Sequence, residues 1–236
     1  MRLNKFLAEC GVDSRRNCDR LIAEGHVKVN GKIVREMGFC IKEDTDTVTF
    51  DGRRVKPKRN VYLMLHKPKG YITSVKDELG RKTVMEFLKG VKTRVYPIGR
   101  LDYDTEGLLL FTNDGELSYG LTHPSREVPK TYVARISGKI SAENLKRLEK
   151  GVSIEGKTTA PAKAVLLEQD EHTSRVELTI REGRNRQIKK MFEAVGHEVE
   201  FLKRTAVGEL HLGGLSRGAF RYLTEKEVAY LKEIAE

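Results

Sequence analysis

Arg100, Asp102 and Asp104 occupy alternate positions in the segment Gly99-Arg100-Leu101-Asp102-Tyr103-Asp104-Thr105-Glu106-Gly107. Apolar runs flank it on both sides, Val95, Tyr96 and Ile98 before and Leu108 to Phe111 after. A polar loop between two strand-like runs is surface structure on a rigid scaffold, which is where chemistry tends to sit. In extended backbone, residues i and i+2 point the same way, so Arg100 and Asp102 face one cleft. A carboxylate beside a cation stays ionised and can act as nucleophile or base. An aspartate after a strand is by itself more often a turn former. The reading as a site therefore rests on the whole segment.

Asp102-Tyr103-Asp104-Thr105 also fits the Asp-x-Asp-x-Thr loop of Mg-dependent phosphoryl-transfer enzymes, in which the first Asp is the nucleophile. That fold wants the Asp at the end of a central parallel strand and a distal acidic pair for the metal. Gly99-Arg100 interrupts the strand, and no such pair is present. His66, His123 and His211 are scattered and receive no chemical role. No His, Cys and carboxylate cluster has metal-ligand spacing.

The chain has 236 residues, a formal net charge of +10 and 39% hydrophobic content. Residues 1–60 hold 14 Lys and Arg against 9 Asp and Glu, whereas residues 61–236 hold 30 against 25. A quarter of the chain thus carries half of the excess positive charge, which points to a polyanionic partner, most often nucleic acid. The alternative is a basic surface that serves solubility alone. No apolar run reaches the ~18 residues that a membrane span needs, and residues 1–12 lack the apolar core of a secretory signal. Cys10, Cys18 and Cys40 lie outside any Cys-x-x-Cys spacing and read as reduced thiols of a cytoplasmic protein.

The elements that position these residues fall into two groups. Leu3, Phe6, Leu7 and Cys10 keep helical spacing, and Gly11 ends that helix. Ser14 caps a second helix with Cys18, Leu21 and Ile22 on its apolar face and Gly25 at its end. Asn30-Gly31 and Asp51-Gly52 mark two hairpins. Lys56 to Asn60 reads as a linker, which sets domains at residues 1–58 and 59–236.

Beyond it, strands are expected at Val61 to Leu65, Lys130 to Ile136, Ala164 to Leu167 and Arg175 to Ile180. Helices are expected at Thr83 to Leu88, from Ser141 to Gly151, within Arg184 to Val195, and after the capping box Thr224-x-x-Glu227. Asn113-Asp114-Gly115 reads as a turn. The fold class is α+β: a small α+β module, then a domain with a mixed, mostly antiparallel sheet flanked by helices.

Two resemblances cover most of the chain. Arg2-Leu3-x-Lys5-Phe6-Leu7, Gly11, Ser14-Arg15-Arg16, Leu21-Ile22, Gly25-x-Val27-x-Val29-Asn30-Gly31 and Val34 resemble the S-four-type RNA-binding domain. Gly99 to Phe111 resembles the GRLDxxTxGLLL signature of the RNA pseudouridine synthases. Lys67-Pro68-x-Gly70, Lys130-Thr131-Tyr132 and Arg184-Asn185-Arg186-Gln187-Ile188-Lys189-Lys190-Met191 are similar to that family's other motifs. The details are closest to the RsuA/RluB-like ribosomal group.

The resemblance implies that a uridine in ribosomal RNA, of the large subunit in preference to the small, is isomerised without cofactor or metal by a monomer. Asp102 would be the catalytic carboxylate, Arg100 the base-flipping residue, Tyr132 the active-site tyrosine and Lys189 the cation beside the carboxylate. Lys189 departs from the family, which usually has Arg there. Lys keeps the charge but loses the planar fork. Arg2, Lys5, Arg15, Arg16, Lys28, Arg184 and Arg186 would contact RNA. Two arginines in the first turn of a helix oppose its dipole, which suggests that Arg15 and Arg16 face phosphates. The partner would be ribosomal RNA or a precursor particle, with no membrane involved. A non-catalytic ribosome-assembly factor is the other reading.

Overall fold

A computed structural model of the chain describes residues 1–236. They divide into two compact units, residues 1–61 with 91–95, and residues 62–90 with 96–236. The excursion of 91–95 into the first unit has no signal in the sequence.

The first unit holds α1 (Leu3–Glu9), α2 (Arg15–Glu24), β1 (Val27–Val29), β2 (Lys32–Ile33), β3 (Val48–Phe50) and β4 (Arg53–Arg54). Leu3, Phe6, Leu7 and Cys10 are all buried, against Cys18, Ile22, Val27 and Val48. Ser14 Oγ accepts the Asn17 N–H at 3.2 Å, which caps α2. Asn30 and Gly31 have φ of 49° and 81°, and Asp51 and Gly52 have 46° and 77°. Two consecutive positive φ values are what a two-residue turn between twisted strands requires. The four strands run β2-β1-β3-β4, each pair antiparallel. Burial raises the Cys10 thiol to about 12, so it is inert at neutral pH.

The second unit is built on a nine-stranded sheet. Its first elements are β5 (Tyr62–Lys67), β6 (Tyr96–Ile98), β7 (Glu106–Thr112), α3 (Gly115–Thr122), β8 (Lys130–Ser137) and α4 (Ala142–Lys150). A small hairpin, β9 (Ser153–Ile154) and β10 (Lys157–Thr158), leads to β11 (Lys163–Gln169) and β12 (Thr173–Ile180). Then come α5 (Gln187–Glu193), β13 (Val199–Val207), β14 (Leu210–His211), β15 (Phe220–Tyr222) and α6 (Glu225–Glu233). The order is β11-β12-β8-β13-β7-β5-β15, with β14 on β13 and β6 on β7. Every pairing is antiparallel except β13 with β7.

Two apolar clusters hold helices to this sheet. Ile188, Met191 and Phe192 of α5 pack with Ala134, Ile136, Val176, Leu178 and Leu202. Leu117 and Leu121 of α3 and Leu231 of α6 pack with Met64, Leu108, Leu110 and Val207.

The sheet forks along β7. One edge of β7 pairs with β5 throughout. Its other edge is shared, because Glu106 and Gly107 pair with Lys203 and Arg204 of β13, whereas Leu110 to Thr112 pair with β6. Leu108 and Leu109 lie where the two neighbours part. Arg204, nearly buried, fills the fork and donates from Nε to the Leu108 carbonyl at 2.7 Å. Gly107 is obligatory there, since a Cβ would stand 2.2 Å from the Arg204 carbonyl oxygen and φ is +115°.

Asn113 to Gly115 is not the simple turn expected. Asp114 accepts the N–H groups of Glu116 and Leu117, both at 3.1 Å, and so starts α3. Strand β13, at nine residues the longest, alternates in burial from Phe201 to Ala206, but charged Lys203 and Arg204 hide that alternation in the sequence.

The capping box at the start of α6 is complete, and Arg221 grips Glu227 through both guanidinium nitrogens at 2.8 and 2.6 Å. The Arg221 hydrogen bonds hold the Glu227 carboxyl down at about 2, against an ordinary 4.5. A depressed carboxyl contributes stability that is full above its unfolded pKa and is lost as pH falls through its folded one. Thermal midpoints measured from pH 5 to pH 2 should therefore fall less steeply in Glu227→Gln than in the parent chain. Parallel acid limbs would show that this pair does not titrate with folding.

Candidate active site

The segment that leaves β6 and returns as β7 crosses the mouth of the fork, and its backbone is pinned from outside. Lys67, at the end of β5, is fully buried, and its Nζ donates to the carbonyls of Pro68 at 3.1 Å, Asp102 at 2.9 Å and Thr105 at 2.9 Å. Thr73 Oγ1 donates to the Leu101 carbonyl at 2.7 Å, and the Gly70 N–H donates to the Tyr103 carbonyl at 2.8 Å. Burial lowers the Lys67 amine to about 8, with Asp104, Asp102 and Glu106 pulling the other way. It is still mostly protonated at neutral pH and has three N–H groups for three carbonyls.

These bonds use backbone oxygens and leave the Asp102 side chain free, with no hydrogen bond or ion pair to any protein group. It lines a cleft of about 390 Å³ together with Arg100, Lys130, Tyr132, Lys189 and Arg204. That volume lies in the range of small-molecule sites, roughly 300–1,000 Å³. The fork explains the cleft, because Ile98 and Leu110 line it from one side and Leu202, Arg204 and Val207 from the other. Arg100 is exposed beside Asp102, as the alternation suggests. Tyr132 is half-buried on β8 and packs on the core through its ring.

Lys189 does not sit where the family pattern would place it. Its Nζ donates to Asp104 Oδ2, not to Asp102, and Arg186 Nη1 stands 4.0 Å from the same oxygen. A single ammonium has no fork with which to bridge two carboxylates. Asp104, whose Oδ1 is buried without a partner, needs the countercharge more. Burial works against ionised Asp104, but the bond and charge of Lys189, with Arg186 behind, outweigh it and hold its carboxyl below the usual range. The two carboxylates thus divide: Asp104 anchors the segment to α5, and Asp102 faces the cleft.

The loop before α5 is stapled by Gln187, which accepts the Arg184 N–H at 2.9 Å and donates to Glu182 at 2.5 Å. Arg184 itself differs from the expectation of an RNA contact. Its guanidinium binds Glu182 at 3.2 Å and the carbonyls of Lys157 at 3.2 Å and Thr158 at 2.8 Å, so it ties this loop to the β9–β10 hairpin. Arg186 remains half exposed.

In the first unit Arg2, Arg15, Arg16 and Lys28 are exposed, with no carboxylate partner, whereas Lys5 pairs with Glu9 at 3.7 Å. Two further groups line the cleft that the sequence did not single out. Lys130 donates to the Val128 carbonyl at 2.9 Å, and burial, with Arg204 nearby, lowers its amine to about 8. His123 is the other. No set of three or more His, Cys, Asp or Glu side chains comes together as a metal site.

Residues 61–194 match the RNA pseudouridylate synthase family and residues 1–45 match the S4 domain. The chain is 50% identical over 237 residues to ribosomal large subunit pseudouridine synthase B of Bacillus subtilis (strain 168), covering 100% of this chain and 97% of that protein. It is 44% identical to an uncharacterized RNA pseudouridine synthase of Aquifex aeolicus (strain VF5), covering 98% and 93%. A crystal structure of a pseudouridylate synthase aligns with a TM-score of 0.70 at 33% identity, over 98% of this chain and 99% of that one. The S4 module and the mixed-sheet domain that follows it in the chain therefore have counterparts in both sequence and structure. The chain belongs to the RNA pseudouridine synthases.

Proposed function

We propose that the chain isomerises a uridine of large-subunit ribosomal RNA, with Asp102 as the catalytic carboxylate. The observation that carries this is the unpartnered Asp102 side chain, held in the cleft by a segment whose carbonyls are fixed from behind. The target base must leave its stack to reach that cleft. The bond from uracil N1 to the anomeric carbon breaks, the base turns, and C5 bonds to that carbon. C5 then loses its proton to solvent, and N1 gains one.

Asp102 serves the sugar, as nucleophile at the anomeric carbon or as base at the ribose. The face of Tyr132 supports the extruded base, and Arg100 at the mouth occupies the space that the base leaves. The substrate assignment is supported by the Bacillus subtilis relative and by the basic first unit. The enzyme acts as a monomer on ribosomal RNA or a precursor particle. Its three free thiols suit the reducing cytoplasm, and no helix is long and apolar enough to cross a membrane.

Modified RNA should identify the substrate. After incubation with large- and small-subunit RNA transcribed in vitro, carbodiimide treatment and reverse transcription should give one new stop in the large-subunit RNA only. A stop confined to small-subunit RNA would refute the assignment.

The exposed arginines of α2 give a separate expectation. Each phosphate contact contributes roughly 0.7–0.9 to the salt slope of binding. Arg15→Ala with Arg16→Ala should therefore lower the slope of log K against log salt by about 1.4–1.8. An unchanged slope would show that this helix does not touch the backbone.

A further inference from the structure

Tyr119 and His123 lie one turn apart at the end of α3, and the His123 N–H donates to the Tyr119 carbonyl at 2.8 Å. Their rings meet at a tilt, with centroids 4.7 Å apart and planes at 40°. Tyr119 is 60% exposed, and His123 lines the same cleft as Asp102, Arg100 and Tyr132. An aromatic pair with an open face thus stands at the rim of the site.

Ser125 engages one nitrogen of the His123 ring. Its Nδ1 accepts the Ser125 backbone N–H at 3.3 Å and lies 2.7 Å from Ser125 Oγ. Ser125 thus occupies Nδ1 and leaves Nε2 as the ring nitrogen without a protein partner. His123 therefore offers one ring nitrogen, Nε2, for a hydrogen bond to a ligand.

We propose that Tyr119 and His123 form a substrate-positioning platform, on which a nucleobase next to the extruded uridine stacks while His123 Nε2–H donates to an oxygen of the same nucleotide. This rests on the RNA substrate proposed above. Extruding one base leaves its neighbours unstacked. Aromatic side chains are the usual replacement, and they tolerate any base because each presents a π-face.

The test is steady-state tritium release from large-subunit RNA transcribed with tritium at uracil C5. Tyr119→Ala should raise KM by about 5- to 150-fold, the usual value of one stacked base, with kcat within about 2-fold of the parent. Tyr119→Phe keeps the ring and should restore KM to within about 2-fold. His123→Phe keeps a ring but loses the donor, and should raise KM by about 5-fold. Far-ultraviolet circular dichroism and thermal midpoints equal to those of the parent would show that α3 is intact. A Tyr119→Ala enzyme with parental KM, or a Phe variant as impaired as Ala, would overturn the platform. No release by the parent enzyme would instead overturn the substrate reading, and this proposal with it.

Discussion

Lys67→Met is expected to lower the stability of the second unit by about 3–5 kcal/mol, because buried polar groups that lose their partner cost roughly 1–3 kcal/mol each. The side chains are of similar length, so the change leaves little cavity. What it removes is the donor shared by the carbonyls of Pro68, Asp102 and Thr105. Two of these belong to the segment that carries Asp102, so turnover should fall even in the fraction that stays folded.

Lys67→Arg is not a rescue. The site is fully enclosed, and a bulkier planar head would have to displace packed neighbours, at a cost of about 1–3 kcal/mol. Urea unfolding followed by tryptophan-independent circular dichroism suits this chain, which has no Trp. A Met variant within about 1 kcal/mol of the parent would show that water, and not Lys67, satisfies those carbonyls.

Much of the first unit was legible because its signals are local. Helical spacing in Leu3 to Cys10, the Ser14 cap and the two Gly-containing turns each act within a few residues, and each forms as read. In the second unit the elements with local caps were equally clear, such as α4 behind Ser141 and α6 behind Thr224. The elements that define the fork were not. Arg204 looks like a surface residue in sequence, yet it is buried because Leu108 needs a hydrogen-bond donor where two strands part. Asp114 looked like a turn former because turns and helix caps favour the same residue, and the helix after it is stabilised by packing against α6.

The candidate site shows the same division. Alternation in the loop placed Arg100 and Asp102 on one cleft, a local inference. The pairing of Lys189 with Asp104 depends on where α5 docks, 85 residues away, and no spacing rule reports that. Arg184 was assigned to RNA from its place in a basic motif, and only the folded chain shows the carbonyls that its guanidinium binds. His123 carried no sequence signal because its partners are its own turn and one ring of α3.

The second large effect concerns Asp102 itself. Asn has the same shape, and the segment's pinning bonds run through backbone oxygens that the change does not touch. Asp102→Asn should therefore fold with a thermal midpoint within about 2 °C of the parent, since a surface-facing isosteric change usually stays within ±0.5 kcal/mol. An amide is neither a competent nucleophile toward the anomeric carbon nor a base at the ribose. Loss of that role should reduce turnover on the order of 10⁴-fold, which corresponds to about 5.5 kcal/mol of transition-state stabilisation. Binding should change little, because affinity for RNA comes mainly from phosphate contacts made by other residues.

The measurement that tests this most directly is single-turnover tritium release from C5-labelled ribosomal RNA, run in parallel on the parent enzyme and Asp102→Asn, with RNA affinity determined for both. Release is expected from the parent and none above background from the variant, with dissociation constants within about 3-fold of each other. Release by Asp102→Asn at a rate near that of the parent would contradict this expectation, and would move the catalytic role to another group in the cleft.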